Sequence, residues 1–274
     1  SGTFTAIDNF NVSAAILNIN SNSILNNQTN SVSGATNFIR VSGIQTVALN
    51  INNNNMSGMT FNAANSGLLT GIANTNAVVT ASLSISGNNF ESINYSVPSS
   101  GINMYINWTS ATNTTANINS NKFTNLNVLT SGSVTFLKRN ANAMTSTGNE
   151  HCDSNSIVTG FFKGRSGGIV TFFKAGAGGC PNGSQMTENF NNFSNVTLSG
   201  TTTVDCWINT EGVGSSSGPS KTINNNTFSN ITTGGSAFMG ISTGSSGANS
   251  SISNNTISNI TNTNGIIGIN IGSS

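Results

Sequence analysis

Ionisable chemistry is scarce in this chain, which has seven carboxylates, eight Lys and Arg residues and one His among 274 residues. Most of the carboxylates stand alone. The exception is Glu150, His151 and Asp153, followed by Glu188 some 35 residues on, at a nearby phase of the repeat described below. A general acid and a general base act on one reacting group only when they converge within a few ångströms, and this set could converge. The same residues also read as polar decoration around a turn. The basic residues Lys138, Arg139, Lys163, Arg165 and Lys174 crowd the same stretch. Of these, Lys138, Lys163, Arg165 and Lys174 make a candidate binding site for an acidic glycan or a partner protein. The plainer alternative is mutual neutralisation of surface charge, which adds little to stability.

Other chemistries find less support. The three cysteines, Cys152, Cys180 and Cys206, lack zinc spacing, and neither a metal nor a cofactor is expected. Cys152 and Cys180 are placed so that a disulfide between them would clip an irregular loop to the body, with three unpaired thiols as the alternative. The Gly-rich runs 161–168 and 176–183 open no helix, so they do not form a phosphate cradle. A net charge of +1 gives no electrostatic case for nucleic acid. No apolar stretch approaches the roughly 20 residues of a spanning helix, so no membrane insertion is expected. Trp108, Tyr105 and Tyr95 could stack on sugar rings if exposed, but in-register aromatic residues more often pack a core.

The elements that must position these residues come from an internal repeat. Its clearest copies are Ile223-Asn-Asn-Asn-Thr-Phe-Ser-Asn-Ile231 and Ile252-Ser-Asn-Asn-Thr-Ile-Ser-Asn-Ile260. Other copies begin at Ile19, Ile51, Ile85, Ile118 and Cys152, and a distorted one covers Met186 to Val196. The fourth position is Asn in every copy: Asn22, Asn54, Asn88, Asn121, Asn155, Asn191, Asn226 and Asn255. Asn tolerates the left-handed backbone region, so this position is expected to make a sharp bend. Stacked in register, the eight amides would also bond one another up a column. The sixth position, Ile24, Met56, Phe90, Phe123, Ile157, Phe193, Phe228 and Ile257, is expected to form a buried row. A second apolar element follows each copy, as in Phe38-Ile39-Arg40-Val41 and Val134-Thr135-Phe136-Leu137. Short apolar segments of period two, bounded by Asn, Gly and Ser, are strands. Several of them in each repeat make one coil of a parallel solenoid.

The expected fold is therefore all-β: a right-handed parallel β-helix of about eight coils, roughly 33 residues each, with residues 1–274 as one domain. The run Ile252-Ser-Asn-Asn-Thr-Ile-Ser-Asn-Ile260 resembles the right-handed parallel β-helix repeat of polysaccharide lyases, copper-centre maturation proteins and large surface proteins. The Asn-, Ser- and Thr-rich style is similar to that of adhesin-like proteins exported by Bacteroidota. That resemblance implies an extracellular or cell-surface bacterial protein. Its partners would be further coils or domains of the same larger chain, a surface glycan, or secretion and anchoring machinery. Enzymes of this fold use clustered carboxylates on acidic polysaccharides, which makes a lyase or glycoside hydrolase built on Glu150, His151, Asp153 and Glu188 the second reading. A rigid spacer of a phage or secretion system is the third. With charged residues at 5% and no dense catalytic cluster, a structural or adhesive segment is the leading expectation. More coils or another domain are expected beyond both ends.

Overall fold

Alternating apolar and polar residues in runs of three to seven give strands with one face in and one face out, and that alternation governs the whole chain. The computed structural model describes residues 2–12, 14–74, 82–109, 115–140, 144–176, 180–212, 218–235, 237–244 and 249–272. Among these, every regular element is a strand. The chain is a parallel β-solenoid with about 34 residues per turn. Coils are counted here by their fourth-position Asn, from coil one (Asn22) to coil eight (Asn255).

Coil four illustrates the plan. It contains the strands Thr115–Asn117, Lys122–Thr124, Leu126–Val128 and Val134–Arg139. Each pairs in parallel with its counterparts in the neighbouring coils, so that Phe123 is in register with Phe90 on one side and Ile157 on the other. Counterparts of Val134–Arg139 build a broad nine-stranded face, and those of Thr115–Asn117 an eight-stranded second face. The third face is split by a bend into five-stranded and eight-stranded parts.

Two corners carry left-handed backbone. The first lies at position three of the repeat, where Ser21, Asn53, Gly87, Ser120, Ser154, Phe190, Asn225 and Asn254 have φ between 53° and 68°. The expectation that the position-four Asn makes this bend is thus corrected by one residue. Its conservative partner at position three, mostly Ser or Asn, tolerates the left-handed region, which frees the Asn itself for another task. The second corner, at position eight, is left-handed at Asn26, Gly58, Ser92, Asn125, Asn195, Asn230 and Asn259.

The position-four Asn residues form a hydrogen-bonded ladder through all eight coils. Asn88 shows the pattern. Its backbone N–H and its Nδ2 both donate to Asn121 Oδ1, at 3.1 and 3.0 Å. Its second amide hydrogen goes to the Ile51 carbonyl in the preceding coil, at 2.8 Å. The buried amides are thereby satisfied by their neighbours, which avoids the roughly 1–3 kcal/mol cost of each orphaned polar group.

The expected sixth-position row is present. Ile24, Met56, Phe90, Phe123, Ile157, Phe193 and Phe228 are buried, and Ile257 is partly buried against them. Phe90 stacks on Phe123 with centroids 5.4 Å apart, and Phe172 on Phe193 at 5.0 Å. Such pairs add about 0.5–1.5 kcal/mol each beyond area burial. Trp108, Tyr105 and Tyr95 are core residues, so none of them offers a platform to a sugar.

Candidate functional site

Strand alternation divides the candidate catalytic group. On the second face Glu150 and Cys152 point inward, whereas His151 and Asp153 point out. Glu150 and Glu188 are each 1% exposed. His151 and Asp153 keep about a third and a quarter of their side-chain surface in solvent. The wall of the sheet therefore separates the two pairs, and the four residues do not share one site.

The outward pair is absorbed into the surface lattice. Asp153 occupies repeat position two, which is Asn in coils one, two, four, six and seven. Its Oδ1 accepts the Asn189 N–H at 2.6 Å, and its own N–H donates to Asn119 Oδ1 at 2.8 Å. Asn52, Asn119, Asn189 and Asn224 make equivalent bonds to backbone N–H groups of adjacent coils. Asp153 Oδ2 takes a hydrogen bond from Thr187 Oγ1 at 3.1 Å, and His151 Nδ1 lies 2.6 Å from the same hydroxyl.

The inward pair belongs to a buried polar network. Glu150 replaces residues such as Leu49, Leu83 and Ala116 in its column, and Lys221 follows in the same column after Met186. Across the core, Trp108, Arg139, Ala175, Asn209 and Thr243 form the matching column at the end of the broad face. Arg139 Nε donates to Glu150 Oε2 at 3.2 Å, and its Nη1 donates to Glu211 Oε1 at 2.6 Å. Trp108 Nε1 also donates to Glu150 Oε2. Glu188 accepts from Trp207 Nε1 at 2.6 Å and Asn209 Nδ2 at 2.5 Å. Lys221 Nζ donates to the Asn209 and Glu211 carbonyls and to Thr243 Oγ1.

Burial sets the electrostatics of this network. Desolvation pushes the Glu188 carboxyl up to about 7, against the opposing pull of Trp207, Lys221 and Asn209. Desolvation also lowers Lys221, although Glu188 and Glu211 hold it up. Burial works against the charge on Arg139, but Glu150, Cys180 and Glu211 more than offset it and raise its pKa. A substrate has no route to these groups that the described surface reveals, since Arg139, Glu150, Glu188, Glu211 and Lys221 are all at most 1% exposed. Arg139, Glu211 and Lys221 are the parts of the network that motif reasoning missed.

The basic candidate set is also divided. Lys138 and Lys174 are in register on the outer side of the broad face, as their spacing predicts, with Asp205 close enough to Lys174 to feel its charge. Lys163 is not on that surface. It lies at the turn into the broad face, 0% exposed, with Nζ donating to the carbonyls of Arg165 and Gly167 at 2.7 and 2.6 Å. Desolvation, helped by the neighbouring Arg165, lowers its pKa to about 8. Arg165 is exposed and reaches the Ser99 carbonyl at 3.5 Å. Lys163 thus pins a loop, and the four residues form no single cationic surface.

The expected Cys152–Cys180 bridge is not formed, and all three cysteines are free and buried. Cys152 lies beside ladder residue Asn155, whose Nδ2 is 3.6 Å from the sulfur. Cys180 instead lies with Arg139, Glu211 and the backbone of Met144. Burial pushes the Cys180 thiol up to about 12 and raises Cys152 well above its usual value. Both therefore stay protonated and poorly nucleophilic at neutral pH. Residues 177–179 of the Gly-rich run before Cys180 lie outside the described residues.

No family model, curated protein or solved structure matches this chain. Its chemistry is therefore read from its own surfaces. Outside the charged coils these include columns of Asn, Ser and Thr held at the coil spacing, as in Asn18–Asn50 and Asn195–Asn230–Asn259.

Proposed function

We propose that this chain is a structural and adhesive β-solenoid segment of an extracellular bacterial surface protein, binding glycan or a partner protein without catalysis. The observation that carries this reading is the partition of charge across the sheet wall. Of the four candidate catalytic residues, Glu150 is tied by Arg139 and Glu188 by Trp207 and Asn209 into a buried polar network, and the outer two are tied into the surface lattice. Besides a few scattered charges and apolar side chains, the outside carries columns of amide and hydroxyl donors and acceptors at fixed spacing, suited to sugar hydroxyls or the polar rim of a partner. The composition, rich in Asn and poor in Lys and Glu, supports an extracellular setting.

The test is a paired binding and turnover screen of the intact chain on neutral and acidic polysaccharides. Retention on a glycan without release of new chain ends is the expected result. Depolymerisation that disappears in Asp153→Ala would replace this reading with that of a lyase or hydrolase.

A further inference from the structure

The second corner carries an exposed ladder of its own. Asn259 Nδ2 donates to Asn230 Oδ1 and Asn230 Nδ2 to Asn195 Oδ1, both at 3.0 Å. Further along, Asn125 Nδ2 donates to Ser92 Oγ at 3.2 Å. Between these two runs stands coil five, where Thr159 and Gly160 occupy the corner and Gly160 has φ 143°. Thr159 fills the corner position and its Oγ1 accepts the Asn125 N–H at 2.7 Å, but it brings no amide and Gly160 no side chain, so the ladder of Asn side chains lacks one rung. Among the described residues, Asn195 Nδ2 has no acceptor and Asn125 Oδ1 no donor.

The same coil breaks a second pattern. One outward column of the third face reads Gln28, Thr60, Asn94, Asn127, Phe162, Thr197, Thr232 and Thr261. Seven of these are polar and uncharged. Phe162 alone is aromatic, and it is 39% exposed. An outward Phe in a polar column gains little from the core, since its ring points away from it. Asn125, Asn127, Thr159, Phe162, Asn195 and Thr197 line a shallow groove around this ring and the missing rung.

We propose that this groove binds a neutral sugar unit of a glycan, a site that rests on the glycan-binding reading above. The ring stacks on Phe162, one hydroxyl donates to Asn125 Oδ1, and another accepts from Asn195 Nδ2. The two amides are two coils apart, about 9.6 Å at the sheet spacing, a gap comparable to a pyranose with its hydroxyls. The lining carries no charge, which selects against uronic acids. The site is also too small for a protein partner, whose stable interface needs about 800 Å² on each side. A peptide strand would find no free edge here, because the backbone of Phe161–Lys163 is paired on both sides.

The test is titration of the intact chain with cellohexaose, mannohexaose and maltohexaose, with oligogalacturonate as the acidic counterpart, followed by calorimetry. At least one neutral oligosaccharide is expected to bind. Phe162→Ala and Asn195→Ala should each weaken that binding about tenfold, or about 1.4 kcal/mol, and Phe162→Trp should retain it. Unchanged circular dichroism would establish that the variants fold. Neutral binding that ignores Phe162→Ala would overturn this site and leave the glycan-binding reading standing. Binding of oligogalacturonate alone, lost in Lys138→Ala or Lys174→Ala, would place the glycan elsewhere and overturn the site. Binding of no saccharide would overturn both.

Discussion

The Asn corner and the charged corner of the core bury polar groups by opposite means. At the Asn corner one residue type recurs in every coil, and each amide is satisfied by its copies above and below. Where Arg139, Glu150, Glu188, Glu211 and Lys221 meet, no column repeats its residue from coil to coil, and each charge depends on its own particular set of partners. Repetition makes satisfaction automatic, so the Asn ladder tolerates coil lengths that vary from 29 to 36 residues. The charged corner has no such tolerance, because its partners are not interchangeable.

Removing a rung from the middle of the ladder should have the largest effect. Asn121→Ala orphans the Asn88 N–H, the Asn88 amide and the Ile85 carbonyl. It should destabilise the chain by about 3–9 kcal/mol at roughly 1–3 per orphaned group, measured by urea unfolding. Asn255→Ala removes the same kinds of bond at the partly exposed end of the column, where water can replace them, and should cost less. Equal losses would mean that the ladder does not work through mutual satisfaction.

The charged corner should respond nearly as strongly to loss of one partner. Arg139→Ala leaves Glu150 and Glu211 buried without their shared cation, and about 3–5 kcal/mol is expected. Replacing Arg139 together with both carboxylates by apolar residues of similar size should recover most of the loss. If the triple variant is as unstable as Arg139→Ala, packing rather than charge pairing governs this corner.

A smaller effect concerns pH. The Glu188 carboxyl is raised to about 7 in the folded chain, from an ordinary value of 4.5. Between these values the folded state holds a proton that the unfolded state has released. Stability should therefore fall as pH rises from about 4.5 through 7, by on the order of 1–3 kcal/mol. Glu188→Gln should abolish that slope in thermal unfolding followed across pH. A slope of the same sign and size in the variant would assign it to another group.

These contrasts explain what could be read beforehand. Phase alone placed the Asn column and the sixth-position row, because one side-chain direction repeats in every coil. The left-handed corner was assigned one residue late, since Asn is intrinsically suited to both the bend and the ladder. Ser120 and Ser154 at position three gave no comparable signal. The site residues were grouped by closeness in sequence, whereas in a strand adjacent residues face opposite ways. Parity would have separated Glu150 from His151. Alignment of the repeats would also have set Glu188 in the Ile118–Cys152–Ile223 column. What no pattern in the repeat revealed was the pairing of Arg139 with Glu211, which lie 72 residues apart.

The ladder also gives the rod a direction. Within the column each amide oxygen accepts from the preceding coil and one amide hydrogen is donated to the next, so the side-chain dipoles align, with their negative ends facing the first coil. A helix with a rise of 1.5 Å per peptide carries about half an elementary charge at each end. Spread over a rise of about 4.8 Å, the same dipole leaves only roughly 0.15 of a charge. A single Lys or Asp near either end of the column would outweigh that field. The column is therefore directional in its hydrogen bonding but almost neutral as an electrostatic object. Stacking order along the axis is dictated by which groups donate and which accept, while long-range attraction is left to the few charges on the outer faces.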